Sequence, residues 1–194
     1  MNKIAHLLIV MALVLVGTGT VNGQKCKFSK KEIKKVGKDI EGETILNVTE
    51  PRVIFSKFSQ GATAMFVKSD QGYYFGMFFV REMGAKMEIL PENPIIFKFD
   101  DDTILKLDPG QDYARRHKLP LTTFNIKPFY TITEEQIKLF AERKIKNVKI
   151  YFTSEKVKDE KSQKDELGTY FEFEVQSDRY QANCQAGASC ILMN

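Results

Sequence analysis

Apolar residues recur along the chain with two different periods. Ser29-Lys-Lys-Glu32 has the spacing of a helix capping box, with Phe28 before the cap and Ile33 as its staple partner. Ile33, Val36 and Ile40 then supply one apolar side, and Asp39-Ile-Glu-Gly42 reads as the exit, so the helix is short. Thr133-Glu-Glu-Gln136 repeats the box with Ile132 and Ile137 as the staple, and Ile137, Phe140, Ala141 and Ile145 continue as a stripe at helical spacing. A third helix can start after Asp178, although Gly187 and Ser189 are poor helix formers.

Elsewhere the pattern is that of strands. Short runs rich in Ile, Val, Phe, Thr and Tyr cover 44–48, 53–58, 62–68, 72–81, 86–90, 95–99, 103–107 and 124–131. Two more, at 148–153 and 169–175, follow the Thr133 helix. Turn residues separate them, as in Asp70-Gln-Gly72, Pro91-Glu-Asn-Pro94, Asp100-Asp-Asp102 and Asp108-Pro-Gly110. The run Tyr73–Val80 is apolar on both alternations, which places it in the middle of a sheet. Lys156–Glu166 is densely charged and reads as a solvated loop. Short connections favour antiparallel pairing. The predicted class is α+β: a mainly antiparallel β-meander sheet of about nine or ten strands, one helix packed on it and short terminal helices. The alternative is a β-sandwich with peripheral helices.

The first residues change how composition is counted. Lys3 precedes an unbroken apolar run, Leu7–Val16, and Val21 and Gly23 meet the small-residue rule of a signal-peptide cleavage site. Ten apolar residues are too few to span a bilayer, which needs about 20. The expected organisation is a signal peptide over 1–23, then one β-rich domain over 24–194 beginning at Gln24, with no transmembrane segment after cleavage. Lys25 directly before Cys26 does not fit a lipobox. The expected location is periplasmic, cell-surface or extracellular. Cleavage leaves 171 of the 194 residues at a formal charge of +3, because Lys3 is the only charged residue lost. That balance gives no footprint for nucleic acid.

Candidate chemistry is sparse. His6 leaves with the leader, so His117 is the one remaining histidine, which excludes multi-histidine metal sites. It sits in Tyr113-Ala-Arg-Arg-His-Lys118, where Arg115, Arg116 and His117 are candidates for holding an anion. Asp100, Asp101 and Asp102 offer calcium-type oxygens, without the spacing of a calcium loop; a hairpin turn is the competing reading. Export would favour pairing of thiols. Cys184 and Cys190 are disulfide candidates, provided the helix breaks near Gly187, because residues six apart on one helix project about 240° from each other. Cys26 is the alternative partner and would tie the two ends together. Lysines crowd Lys25–Lys38 and form the wet side of the first helix, suited to an anionic surface or simply to solvent. Asn47-Val-Thr49 matches a glycosylation sequon and is taken as chance. Fifteen Phe, seven Tyr and no Trp imply a core of phenyl rings or, alternatively, an apolar cavity.

Asp39-Ile-Glu-Gly42 with Thr44 and Thr49, the run Ile95-Ile-Phe-Lys-Phe-Asp-Asp-Asp-Thr103, and Tyr130-Thr-Ile-Thr133 before helix and strand together resemble small exported bacterial proteins of unknown function. In that group the meander hairpin usually carries Asp-Gly-Thr, where this chain has Asp101-Asp102-Thr103. The resemblance implies export and a β-rich fold, and it transfers no catalytic residue. The expectation is an exported, non-catalytic binding or envelope-associated module without a cofactor, whose partner is an envelope component or a protein. A carrier of a small apolar ligand in a barrel or half-barrel is one alternative. A carboxylate-dependent hydrolase is the other, requiring two facing carboxylates with one raised pKa.

Overall fold

The computed structural model describes residues 26–57, 60–82, 87–109, 123–154 and 163–194. The expected leader over 1–23 and the Arg115, Arg116 and His117 cluster lie outside the described residues, as does most of the charged loop after Ser154.

The Ser29 cap starts α1 (Lys30–Asp39), which leads into β1 (Ile45–Val48), β2 (Arg52–Lys57), β3 (Gln60–Ser69) and β4 (Tyr73–Glu82). Next come β5 (Met87–Glu88), β6 (Ile95–Phe99), β7 (Ile104–Leu107), β8 (Thr123–Ile126) and β9 (Phe129–Ile132). The chain continues as α2 (Glu134–Glu142), β10 (Ile145–Ser154), β11 (Gln163–Asp165), β12 (Gly168–Glu174) and α3 (Asp178–Leu192). The fold is α+β and its sheets are antiparallel throughout the described pairs, without closing into a barrel.

The strands divide between two sheets rather than one continuous meander. In the first, β3 and β4 pair along eight positions from Gly61↔Val80 to Lys68↔Tyr73. β1 and β2 line the outer side of β3, while β8 and β9 line that of β4. The break between β1 and β2 is bridged by Thr49, whose N–H donates to Phe66 O at 3.0 Å while its Oγ1 accepts from Phe66 N at 2.9 Å. The 124–131 run similarly divides around Pro128, which has no N–H to pair but whose carbonyl accepts from Met77 N at 3.1 Å. In the second sheet the order is β11-β12-β10-β6-β7, with β5 also on β10. Gln163–Asp165, inside the predicted loop, forms β11 against the start of β12.

One apolar core joins both sheets, α2 and α3. Phe75, Met77 and Phe79 of β4 enter it, whereas Tyr74 faces the opposite side, toward α1. This explains why the Tyr73–Val80 run is apolar on both alternations: one side meets the second sheet, the other meets a helix. Gly76 permits that arrangement, because a Cβ there would stand 2.8 Å from Phe129 Cε1 and 2.9 Å from Met65 Cγ. α2 begins with a complete capping box: Gln136 N donates to Thr133 Oγ1 at 3.2 Å and Thr133 N donates to Gln136 Oε1 at 2.9 Å.

α3 runs unbroken through Gly187, contrary to the weakness read from its composition. Packing supplies the reason. A Cβ at Gly187 would come within 3.2 Å of Phe66 Cδ2, so the glycine lets the helix lie close on β3. At one corner Pro109, just past β7, bridges to Tyr130 of β9 and links the two sheets.

Tyr130 is fully buried and its hydroxyl finds no hydrogen-bond partner among the described residues. Burial alone pushes its pKa upward. Tyr130→Phe is therefore expected to raise unfolding stability by about 1 kcal/mol, since it removes an unsatisfied hydroxyl and keeps the ring. A urea midpoint below that of the parent would contradict this.

Candidate functional surface

α1 is half-capped by its own box. Glu32 N donates to Ser29 Oγ at 3.2 Å, but Ser29 N is already engaged with Val48 O at 2.9 Å. Glu32 instead takes a hydrogen bond from Lys35 Nζ at 2.6 Å. Ile33, Val36 and Ile40 sit against Ile45, Val48, Met65 and Val67 on the outer face of the first sheet. At about 100° per residue, positions 30, 34, 38, 31 and 35 fall on an arc opposite those three apolar residues. All five are lysines and all are exposed, as is Lys27 just before the helix.

The charge is divided sharply along the chain. Residues 1–40 hold eight lysines and two acidic residues, and residues 41–194 hold 21 basic against 23 acidic. The net positive charge of the protein thus lies in the N-terminal segment, and its described part is presented to solvent by α1.

A second feature is the corner between β2 and β12, away from the Pro109 bridge. Phe55 stacks on Phe173 with ring centroids 4.5 Å apart, leaving a hollow on each side. One, of about 140 Å³, is lined by Val53, Phe55, Ser56, Ala62, Thr63 and Phe78, among others. The other, of about 430 Å³, is open and lined by Phe55, Phe171 and Phe173 together with Lys57, Gln60, Glu172, Glu174 and Gln176. Its carboxylates are partly engaged: Asn147 Nδ2 donates to Glu172 at 3.1 Å and Gln176 Nε2 to Glu174 at 2.9 Å.

The outer face of the second sheet carries a polar network. Tyr151 donates to Asp165 Oδ2 at 2.7 Å, Lys149 lies 3.8 Å from the same oxygen, and Lys149 Nζ sits 4.3 Å from the Tyr170 ring centroid. Desolvation works to raise the Asp165 carboxyl, but Tyr151, the Leu167 N–H and Lys149 together hold it low. Burial, then Asp165, pushes the Tyr151 hydroxyl up. These contacts run among the network's own members.

Asp100, Asp101 and Asp102 form the β6–β7 turn. Asp101 accepts from Thr103 N at 3.1 Å and pairs with Arg143, whereas Asp102 pairs with Lys98 at 2.8 Å. Asp102 takes a left-handed φ of 63°, a conformation that aspartate tolerates better than most side chains. The carboxylates of Asp101 and Asp102 turn toward cations and the turn's own backbone instead of converging. Among the described residues, no group of three His, Cys, Asp or Glu side chains is placed to hold a metal ion.

Cys26 and Cys190 form a disulfide with Cα atoms 5.3 Å apart, and Cys184 is a buried free thiol. The structure thus corrects the Cys184–Cys190 candidate in favour of the alternative partner. That bridge required a helix break near Gly187, and α3 has none, so the two cysteines project to different sides. Burial pushes the Cys184 thiol up to about 12, which keeps it protonated and inert.

The carboxyls with displaced pKa values among the described residues all move downward. Desolvation opposes the shift at Asp101, but Thr103 and Arg143 outweigh it. Lys98 lowers Asp102, and the helix-start N–H and Thr133 lower Glu135. Groups with depressed folded pKa values contribute stability that is present above the unfolded carboxylate value of about 4 and lost as pH falls through the folded values. The urea midpoint is therefore expected to stay level between about pH 7 and 5 and to fall in more acid buffer. A midpoint that rises below pH 4 would contradict this assignment of charges.

No family profile matches the chain, and no curated protein or solved structure is significantly similar to it.

Proposed function

We propose that the protein is an exported, non-catalytic binding module associated with the cell envelope, working through its outer surface. The observation that carries this reading is the solvent-facing lysine arc of α1, which gathers the positive charge of a chain otherwise slightly acidic. The Cys26–Cys190 disulfide supports it, because such bonds persist in oxidising compartments outside the cytoplasm.

The carrier reading draws its support from the hollow beside Phe55, whose volume of about 430 Å³ would admit a small molecule. That hollow is open and half polar, and the space between the sheets is filled by rings around Phe140. The hydrolase reading needs a carboxyl raised by a facing partner, whereas the displaced carboxyls among the described residues are lowered.

Fractionation of cells expressing a tagged full chain tests the proposal. The expected product sits in the envelope fraction, begins at Gln24 by intact mass and carries the oxidised disulfide. A full-length, reduced chain in the cytosol would overturn it.

A further inference from the structure

We propose that the lysine arc of α1 adsorbs onto an anionic phospholipid bilayer by charge alone, without inserting. This deepens the envelope-associated reading and rests on it.

Three observations choose the partner. First, the apolar side of α1 is already spent: Ile33, Val36 and Ile40 pack on β1, β3 and β4, so the helix has no apolar face left to bury among acyl chains. Second, the exposed arc carries Lys30, Lys31, Lys34, Lys35 and Lys38 with no exposed aromatic or aliphatic side chain among them, over a helix of ten residues, about 15 Å long. Such a stripe is straight and shallow, fitting a plane of charge better than a discrete ligand. Third, α1 contains no arginine. Forked guanidinium donors are the groups suited to bidentate capture of a single phosphate or carboxylate. Lysines are mobile point charges, suited to a fluid layer of headgroups. Glu32, on the flank of the arc, is held by Lys35, and Asp39 stands at the helix end.

Each lysine near an anionic bilayer strengthens binding by roughly five-fold, and screening at raised salt removes the gain. The test is co-sedimentation of the purified chain, begun at Gln24 and oxidised, with phosphatidylcholine vesicles and with vesicles containing phosphatidylglycerol. Binding is expected only to the charged vesicles, in low salt, and release is expected in high salt. The variant Lys30→Ser, Lys31→Ser, Lys34→Ser, Lys38→Ser should bind at least a hundred-fold more weakly with an unchanged circular dichroism spectrum. A control with Lys106→Ser, Lys138→Ser, Lys144→Ser and Lys146→Ser removes the same charge from other elements and should stay within several-fold of the parent. Equal losses in both variants would reduce the effect to net charge and overturn the assignment to α1. So would binding that ignores lipid charge, binding that survives high salt, or no binding in low salt. Any of these leaves the fractionation result standing, so the two proposals fail separately.

Discussion

Phe140→Ala is expected to lower unfolding stability by about 3–5 kcal/mol, the range for emptying a buried aromatic site. Phe140 projects from α2 into the space between the sheets. Its ring lies 5.6 Å from Phe66 and 5.4 Å from Phe75 of the first sheet, and 4.8 Å from Phe97 and 5.5 Å from Phe99 of the second. The Phe75 contact is stacked, while the other three are edge-on, so the four neighbours use both favourable ring geometries. Truncation leaves a cavity bounded by strands of two hydrogen-bonded sheets, which restricts its collapse. The melting temperature should fall by roughly 10 °C for a domain of this size. Phe140→Leu, which refills part of the space, should lose less. A Phe140→Ala variant within 1 kcal/mol of the parent would show that α2 does not hold the sheets together.

Removing the disulfide is the second large effect. Cys26 and Cys190 are separated by 164 positions, so their bond constrains almost the whole domain in the unfolded state. Chain-entropy reasoning puts the gain at about 5 kcal/mol for such a ring, with 2–5 kcal/mol the range usually lost when native bridges are removed. Cys26→Ser with Cys190→Ser should shift the urea midpoint down accordingly, with Cys184 left in place. Thiol titration checks the pairing independently. The oxidised native protein should show no reactive thiol, the unfolded oxidised protein one, and the unfolded reduced protein three. A peptide map linking Cys184 to Cys190 would refute the assignment.

Local features were legible in the sequence because they depend on neighbours. Ser29 and Thr133 mark helix starts through residues three positions away. The double apolar alternation of Tyr73–Val80 anticipates a strand covered on both faces, and the three aspartates anticipate a turn. What escaped depends on partners far along the chain. Nothing local tells β10 to pair with β6, or tells β1 and β2 to share β3, so which strands share a sheet stayed hidden. Cys190 points toward Cys26 only because α3 continues through Gly187, and that follows from the Phe66 ring it rests on. The lysine arc could be read from helical spacing, whereas the hollow beside Phe55 arises where β2 meets β12 and has no sequence signature.

The bridge from Cys26 to Cys190 makes one covalent ring of the chain between them. A ring cut once stays a single molecule. Proteolysis in the exposed Asp100–Asp102 turn should therefore nick the protein without releasing a fragment, giving one band on a non-reducing gel and two after reduction. With both sheets and α2 still packed around the Phe140 cluster, the nicked form should remain folded. The bond thereby turns a severed backbone into a tolerated injury.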